Sequence, residues 1–321
     1  MAERLSNLSR AKQLIPSAFA LPFSLFFVAG IFAMLKPAFM SVDNVVGIVH
    51  RMATVGIMAE GMTFVIMTGG IDLSVGPVLA IAGLVSFFIL QYGAPVFVAV
   101  LGGVGTGAVI GAINGAAIAF FKLPAIIVTL ATLSIVRGSA LIVGGPILHQ
   151  LPGGLAYSFI GTGFVLSVPF SIWLFAGVVT VMALLQTQTT FGLQVAAIGD
   201  NQRASFLSGR PVRSVKLATY IICGSTAALA GIIQSSQVYT ASATFGEFGT
   251  ELDVIAAVVL GGTNLQGGKG SVLRTVIGVL FLGVISSGLN ILNVPVDAQL
   301  IAKGLIIVVA LSLGARAETS E

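Results

Sequence analysis

Charge is what this chain lacks most. Only 8% of its 321 residues are Asp, Glu, Lys or Arg, against about 25% in soluble domains, which excludes an aqueous fold of this length. Cysteine is reduced to Cys223 alone. It sits in an apolar run, so neither a disulfide framework nor a Cys-based metal site is available. The two histidines, His50 and His149, have no Cys or His partners at metal spacing and read as residues of an outer interface. Amphipathic rings are few, Trp173 and four tyrosines, so stacking platforms for a ligand are scarce. No GxSxG elbow occurs, and Ser286-Ser287-Gly288 reads as a helix-packing contact rather than a nucleophile. With no nucleophile and base in reach of each other, the chain is not read as an enzyme.

What remains is apolar. Hydrophobic residues make up 56%, and mean hydropathy is +1.07. Forty glycines suit transmembrane helices packed backbone to backbone. A span needs about 20 apolar residues, and the candidates are 16–35, 50–69, 73–92, 95–121, 124–143, 166–186, 214–235, a short 252–263, 271–291 and 297–314. The expectation is an all-α polytopic bundle of about ten helices in one domain, 1–321, with both termini cytoplasmic. Ala18-Phe19-Ala20 imitates a signal-peptidase site, but its apolar run is too short for a signal peptide, so a retained first span is expected.

The basic residues orient this ladder. With the N-terminus inside, only Lys36, Arg51, Arg137 and Lys303 of the 15 Lys and Arg fall away from the cytoplasmic side, as the positive-inside rule requires. The net charge of +4 therefore reads as orientation and not as a nucleic-acid surface. The densest cluster, Arg203, Arg210, Arg213 and Lys216, lies in a polar stretch at about 192–216. Its apolar residues, Ala196, Ala197, Ala204, Phe206 and Leu207, suggest a short surface helix that fits a groove on a soluble partner. Residues 144–165 are too polar and too broken by Pro and Gly to span. They are expected on the outer face, as a short helix, a loop or a re-entrant piece.

Two segments look alike: Gly69–Gly76 (GGIDLSVG) and Gly261–Gly268 (GGTNLQGG). Asp72 or Asn264 is positioned to cap the helix that follows, and the pair reads as a duplicated helix–break–helix unit, a pointer to transport machinery. GGTNLQGGKGS approaches a nucleotide-binding P-loop. However, Thr263 replaces its first Gly and Gly270 the Mg²⁺-holding Ser/Thr, so nucleotide binding by that motif is not expected. Ionisable groups at membrane depth suggest function by default. Glu60 lies mid-span and reads equally as a pathway group or a structural pair. Asp72 at its break and Asn114 near mid-span are further candidates, although capping and a helix–helix hydrogen bond would explain them. Arg137 belongs near the outer face, and Lys303 snorkels or pairs with a nearby acid.

GMTFVIMTGGIDLSVG (61–76), AAIGDNQRASFLSG (196–209) and ELDVIAAVVLGGTNLQGGKGS (251–271) closely resemble the signature stretches of ribose-type, simple-sugar ABC importer permeases. The likeness runs from about Asn44 to Leu313. It implies a permease of the bacterial inner membrane, paired with a second copy or a sister permease and seated on two ATPase domains that are often fused. A periplasmic binding protein would supply the sugar. Gly199, Asp200, Asn201, Arg203, Ala204, Leu207, Ser208 and Gly209 would form the coupling helix, with Asn201-Gln202 standing where many relatives carry an acidic residue. ATP and Mg²⁺ would be held by the partner and no cofactor by this chain. Glu60, Asp72, Asn114 and Asn264 are then candidates for the path or its helix breaks. The alternatives are a permease for another small polar solute (an autoinducer-2-like molecule, nucleoside, polyol or branched-chain amino acid) or an ion-coupled secondary carrier.

Overall fold

The computed structural model describes residues 17–151, 156–247 and 249–305, with side chains from residue 21 onward. Helices dominate: α1 (Ser17–Leu35), α2 (Val42–Met67), α3 (Val75–Gln91), α4 (Val96–Ala119), α5 (Ala125–Gly144), α6 (Ala156–Thr162), α7 (Phe170–Gln188), α8 (Thr190–Asp200), α9 (Gln202–Leu207), α10 (Val212–Gln237), α11 (Thr250–Leu260) and α12 (Val272–Ile291). Residues 296–305 form the described part of α13. Four two-residue strands make two antiparallel pairs. His149–Gln150 (β1) pairs with Thr240–Ala241 (β4), and Phe164–Val165 (β2) with Val168–Pro169 (β3).

Six described helices are long and apolar enough to cross a membrane: α2, α4, α5, α7, α10 and α12. The chain is thus an all-α polytopic membrane protein. Two apolar helices are shorter, the Leu21–Leu35 part of α1 and the 17-residue α3. At 1.5 Å per residue α3 reaches about 26 Å and the 11-residue α11 only about 17 Å, roughly half of a 30 Å hydrocarbon core. The eighth expected span, 252–263, is therefore a half-length helix ending at Leu260, where Gly261 and Gly262 turn the chain. Arg4, Arg10, Lys12, Arg316 and the far part of the tenth expected span lie outside the described residues.

Helix α10 is the axle of the bundle. Gly103, Gly107, Gly111 and Gly115 recur every fourth residue on α4 and so form one stripe. A Cβ at Gly107 would overlap the Gly224 carbonyl, and one at Gly111 the Tyr220 carbonyl. Only glycine lets α4 lie backbone to backbone on α10 in this way, which is how helices associate where lipid removes the hydrophobic drive. On another side α2 approaches through Gly61, set against Cys223 and Thr226. Helix α12 then packs on α2, with Thr63 and Thr275 sharing a hydroxyl hydrogen bond of 2.9 Å. Helices α2, α10 and α12 are buried over more than half of their most apolar windows, whereas α4, α5 and α7 are buried over less than a quarter of theirs. The first three are interior and the second group faces the surroundings of the bundle.

The segment at 144–165 resolves into β1, α6 and β2, apart from residues 152–155, which lie outside the description. It is fastened to α10: Ser236 Oγ donates to the Tyr157 carbonyl (2.7 Å) and accepts from Gly161 N (2.7 Å). The His149 ring packs on Phe87 and Phe88, with its Nε2 2.6 Å from the Gly144 carbonyl oxygen. His50 Nδ1 lies 2.7 Å from Ser171 Oγ.

Candidate coupling site and helix breaks

The polar stretch after α7 folds into two short helices, and one residue both ends the first and starts the second. Asn201 is extended (φ −151°, ψ 98°). Its N–H closes α8 on the Ala197 carbonyl (3.1 Å), and its Oδ1 accepts from Ala204 N (2.9 Å) as the N-cap of α9. Capping of this kind contributes about 1 kcal/mol. Ser205 Oγ donates to the Ala197 carbonyl (2.8 Å) and holds α9 against α8. The end of α9 is a Schellman-type turn: Gly209 is left-handed (φ 77°), its N–H bonds Phe206 O (3.0 Å), and Arg210 N bonds Ser205 O (3.1 Å). Arg203, Phe206, Leu207 and Ser208 all lie on the exposed side.

Three distant parts of the chain meet behind this loop. Gly268 N donates to the Met67 carbonyl at 2.9 Å, joining the segment after α11 to the end of α2. Gly199, near the end of α8, closes on that same bond, where a Cβ would overlap both Met67 O and Gly268 N. Gly267 adopts φ 99° and approaches Gly199 and Gly69 together; a Cβ there would stand 3.0 Å from each backbone. The two look-alike breaks therefore touch, and the loop is seated on their junction. Gln186, at the end of α7, completes it: Nε2 donates to Gly270 O (3.0 Å), and Oε1 accepts from Val272 N (3.0 Å). Sequence reading missed Gln186, whose only signal is an amide at the end of an apolar run.

The first break holds a buried polar chain. Asp72 Oδ1 accepts from Ser74 N (2.9 Å) and Ser74 Oγ (2.6 Å). Asn114 Nδ2 donates to Ser74 Oγ (3.0 Å), and its Oδ1 accepts from Thr132 Oγ1 (2.6 Å). Asp72 is thus an Asx-type turn former ahead of α3, and α3, α4 and α5 are laced together at one level. The second break differs. Asn264 Oδ1 accepts from Gln266 N (2.7 Å), closing its own turn, while the N-cap of α12 is Ser271, which accepts from Arg274 N at 3.4 Å. The expectation that Asp72 and Asn264 cap the helices that follow is corrected: the N-cap of α3 is Ser74, and seven further residues separate Asn264 from the start of α12.

The structure sets Glu60 apart from all of these. It is fully buried in α2, and neither carboxylate oxygen has a hydrogen-bond partner among the described residues. Lys303 pairs with Asp253 at 2.8 Å. The Arg137 guanidinium gathers the backbone carbonyls of Ala243, Phe245 and Gly246 and so pins the approach to α11. No group of three or more His, Cys, Asp or Glu side chains suited to a metal occurs among the described residues.

The family model of the branched-chain amino acid transport system / permease component matches residues 44–311. The chain belongs to that family. Among this permease family's members, the ribose import permease protein of Bacillus subtilis is 41% identical over 291 residues, 90% of this chain and 90% of the relative. That of Haemophilus influenzae is 39% identical over 290 residues, 89% and 90%. The L-arabinose transport system permease protein of Escherichia coli K12 is 35% identical over 290 residues, 90% and 87%. No solved structure matches the chain. The permease match covers all three segments that meet at the junction, 61–76, 196–209 and 251–271.

Proposed function

We propose that the chain is the membrane permease subunit of an ATP-binding-cassette importer that carries a simple sugar of the pentose or hexose class across the bacterial inner membrane. The observation that carries this reading is the seating of the 199–209 loop on the junction of the two helix breaks. Its outer face, Arg203, Phe206 and Leu207, is free for a soluble partner. Force applied to that face reaches α2, α3, α11 and α12 through backbone contacts, with no long side chain to absorb it. The printed names of the relatives, ribose import and L-arabinose transport, support a sugar as the solute.

In this mechanism a partner ATPase, a tandem-domain protein, holds ATP and Mg²⁺, and its closure pushes α9. The path between this chain and a second permease, identical or sister, then changes the side it faces, and sugar delivered by a periplasmic binding protein passes without covalent chemistry. Ten spans with both termini cytoplasmic fit this arrangement, the half-length α11 and its break counting as one, with the 144–165 side facing the binding protein. The coupling role falls on Gly199, Asp200, Asn201, Arg203, Ala204, Leu207, Ser208 and Gly209. Asp72, Asn114 and Asn264 belong to the helix breaks. Selectivity resides in the binding protein, because few rings are available for stacking.

A second reading, an ion-coupled carrier, is favoured by Glu60 alone, as a buried carboxylate without a partner suits a proton site. Branched-chain amino acid transport, which the family description names, is the rival solute. The test is gentle extraction of the tagged chain from its native membrane, mass spectrometry of what co-purifies, and ribose uptake by reconstituted vesicles. A co-purifying ATPase with ATP-dependent uptake is expected. A chain that stays alone after crosslinking, with uptake driven by an ion gradient, would overturn the importer.

A further inference from the structure

Beside the coupling loop, and sharing Arg203 and Phe206 with its outer face, lies a cavity of about 500 Å³. Four cations line it: Lys122 from the α4–α5 turn, Arg203 from α9, and Arg213 and Lys216 from the first turns of α10. No carboxylate lines it. Lys216 Nζ donates to Gln202 Oε1 at 2.8 Å, whereas Lys122, Arg203 and Arg213 make no side-chain hydrogen bond or ion pair among the described residues. Like charges gathered without a counter-charge repel one another, so an anion placed among them is favoured.

Two further features point to the same occupant. The first turn of α10 opens here with no side-chain cap, leaving backbone N–H groups and the positive end of a 26-residue helix aimed at the cavity. Tyr220, 1% exposed, closes the floor of the cavity. Lys122 is held in the left-handed region (φ 57°), a conformation that costs a non-glycine residue energy and that clusters at functional sites.

The walls name the kind of anion. Ile118, Leu123 and Phe206 line the cavity on the apolar side. Phe206 stays 63% exposed at its rim, and Phe121, the chain neighbour of Lys122, is 76% exposed, where water would be a poor neighbour. The geometry points to a binding site for the phosphate of an anionic lipid of the inner leaflet, its acyl chains leaving past the phenylalanines. Basic pockets at the cytoplasmic ends of spans take anionic headgroups in this way. The inference rests on the reading that this face is cytoplasmic. It adds that an occupied site ties α9 and α10 to the first helix break at Thr68–Gly70, which also lines the cavity.

The test is a titration of the purified full chain, with whatever partners co-purify, followed by native mass spectrometry and thermal shift. The probes are phosphatidylglycerol, phosphatidylcholine, inorganic phosphate and ATP. Saturable stabilisation by phosphatidylglycerol and none by phosphatidylcholine is expected. Each cation removed should weaken binding about fivefold, so Lys122→Gly with Arg213→Gln should weaken it about thirtyfold. Neither change threatens the fold: glycine relieves the left-handed strain, and a cation near a helix N-terminus is itself unfavourable. Equal binding of phosphatidylcholine, or unchanged affinity in the double variant, would overturn the site. Full displacement of phosphatidylglycerol by equimolar phosphate or ATP would reassign it to a soluble phosphate compound. Loss of binding only when an ATPase is bound would reassign it to an acidic segment of that partner. The titration reads binding, not uptake, so its failure is separable from failure of the importer reading.

Discussion

Gly69–Gly76 and Gly261–Gly268 share the pattern GG-x-[DN]-L-[SQ]-x-G, and each follows the end of a helix at the same junction. Their interiors part company at the fourth residue. Asp72 is 1% exposed and joined through Ser74 and Asn114 to Thr132, so the first break is a buried polar knot in which α3 resumes at once. Asn264 is only half-buried, Gln266 is exposed, and three glycines of the second segment are left-handed, so the chain runs on as a surface loop until Ser271. A pattern of glycines and one Asx residue specifies a tight turn. Burial then decides whether that turn becomes a fixed point or an adjustable contact, and the 199–209 loop leans on one of each.

The comparison is broken most severely at the point both segments share. Gly199→Ala forces a methyl group into the Met67 carbonyl and Gly268 N, where only backbone can yield. Overpacking of this kind costs about 1–3 kcal/mol or more, and here it also pries the junction apart. Folded yield in detergent should fall steeply, and the surviving protein should lose uptake. Asp72→Ala comes next. It leaves the buried Ser74 N–H and the hydroxyl hydrogen without their acceptor, at a cost of about 1–3 kcal/mol, read as a lowered unfolding midpoint in a detergent thermal melt.

Gln186→Leu keeps side-chain volume but removes the amide that holds Gly270 O and Val272 N. About 1–2 kcal/mol of stability should be lost, and proteolysis should rise specifically at 262–271. The smallest effect is expected of Asn264→Ala, about 1 kcal/mol or less, because water can replace a bond made at a half-exposed turn. If Asn264→Ala proved as damaging as Asp72→Ala in the same melt, the distinction between a knot and a contact surface would fail.

Much of this was legible in the residues. The apolar runs located α1, α3–α5, α7, α10 and α12 to within a few positions, while α2 begins eight residues before the expected 50–69; the glycine-rich breaks and the polar stretch stood out because each interrupts hydrophobic periodicity. The meeting of 61–76, 196–209 and 251–271 was not legible, since it depends on tertiary approach of backbones at Gly199, Gly267 and Gly268. The shortness of α11 was legible, as the short span at 252–263, but not the point at which it ends, which the left-handed Gly262 marks just beyond Leu260. Asn114 read equally well as a path residue or a helix–helix contact. Its bonds to Ser74 and Thr132 account for its polarity by packing, whereas nothing described does so for Glu60.

The central claim is that α9 is the surface on which the energy-supplying partner acts. Its most direct test is a site-specific crosslink in the assembled transporter. In a Cys223→Ser background, Leu207→Cys, 76% exposed on α9, would be compared with Leu166→Cys, 84% exposed in the β2–β3 turn, using a short bismaleimide on native membranes. The account predicts a crosslink from position 207 to an ATPase subunit, changing in yield with ATP, and none from position 166. A crosslink to that subunit from 166, or its absence from 207 in membranes that still transport, would contradict it.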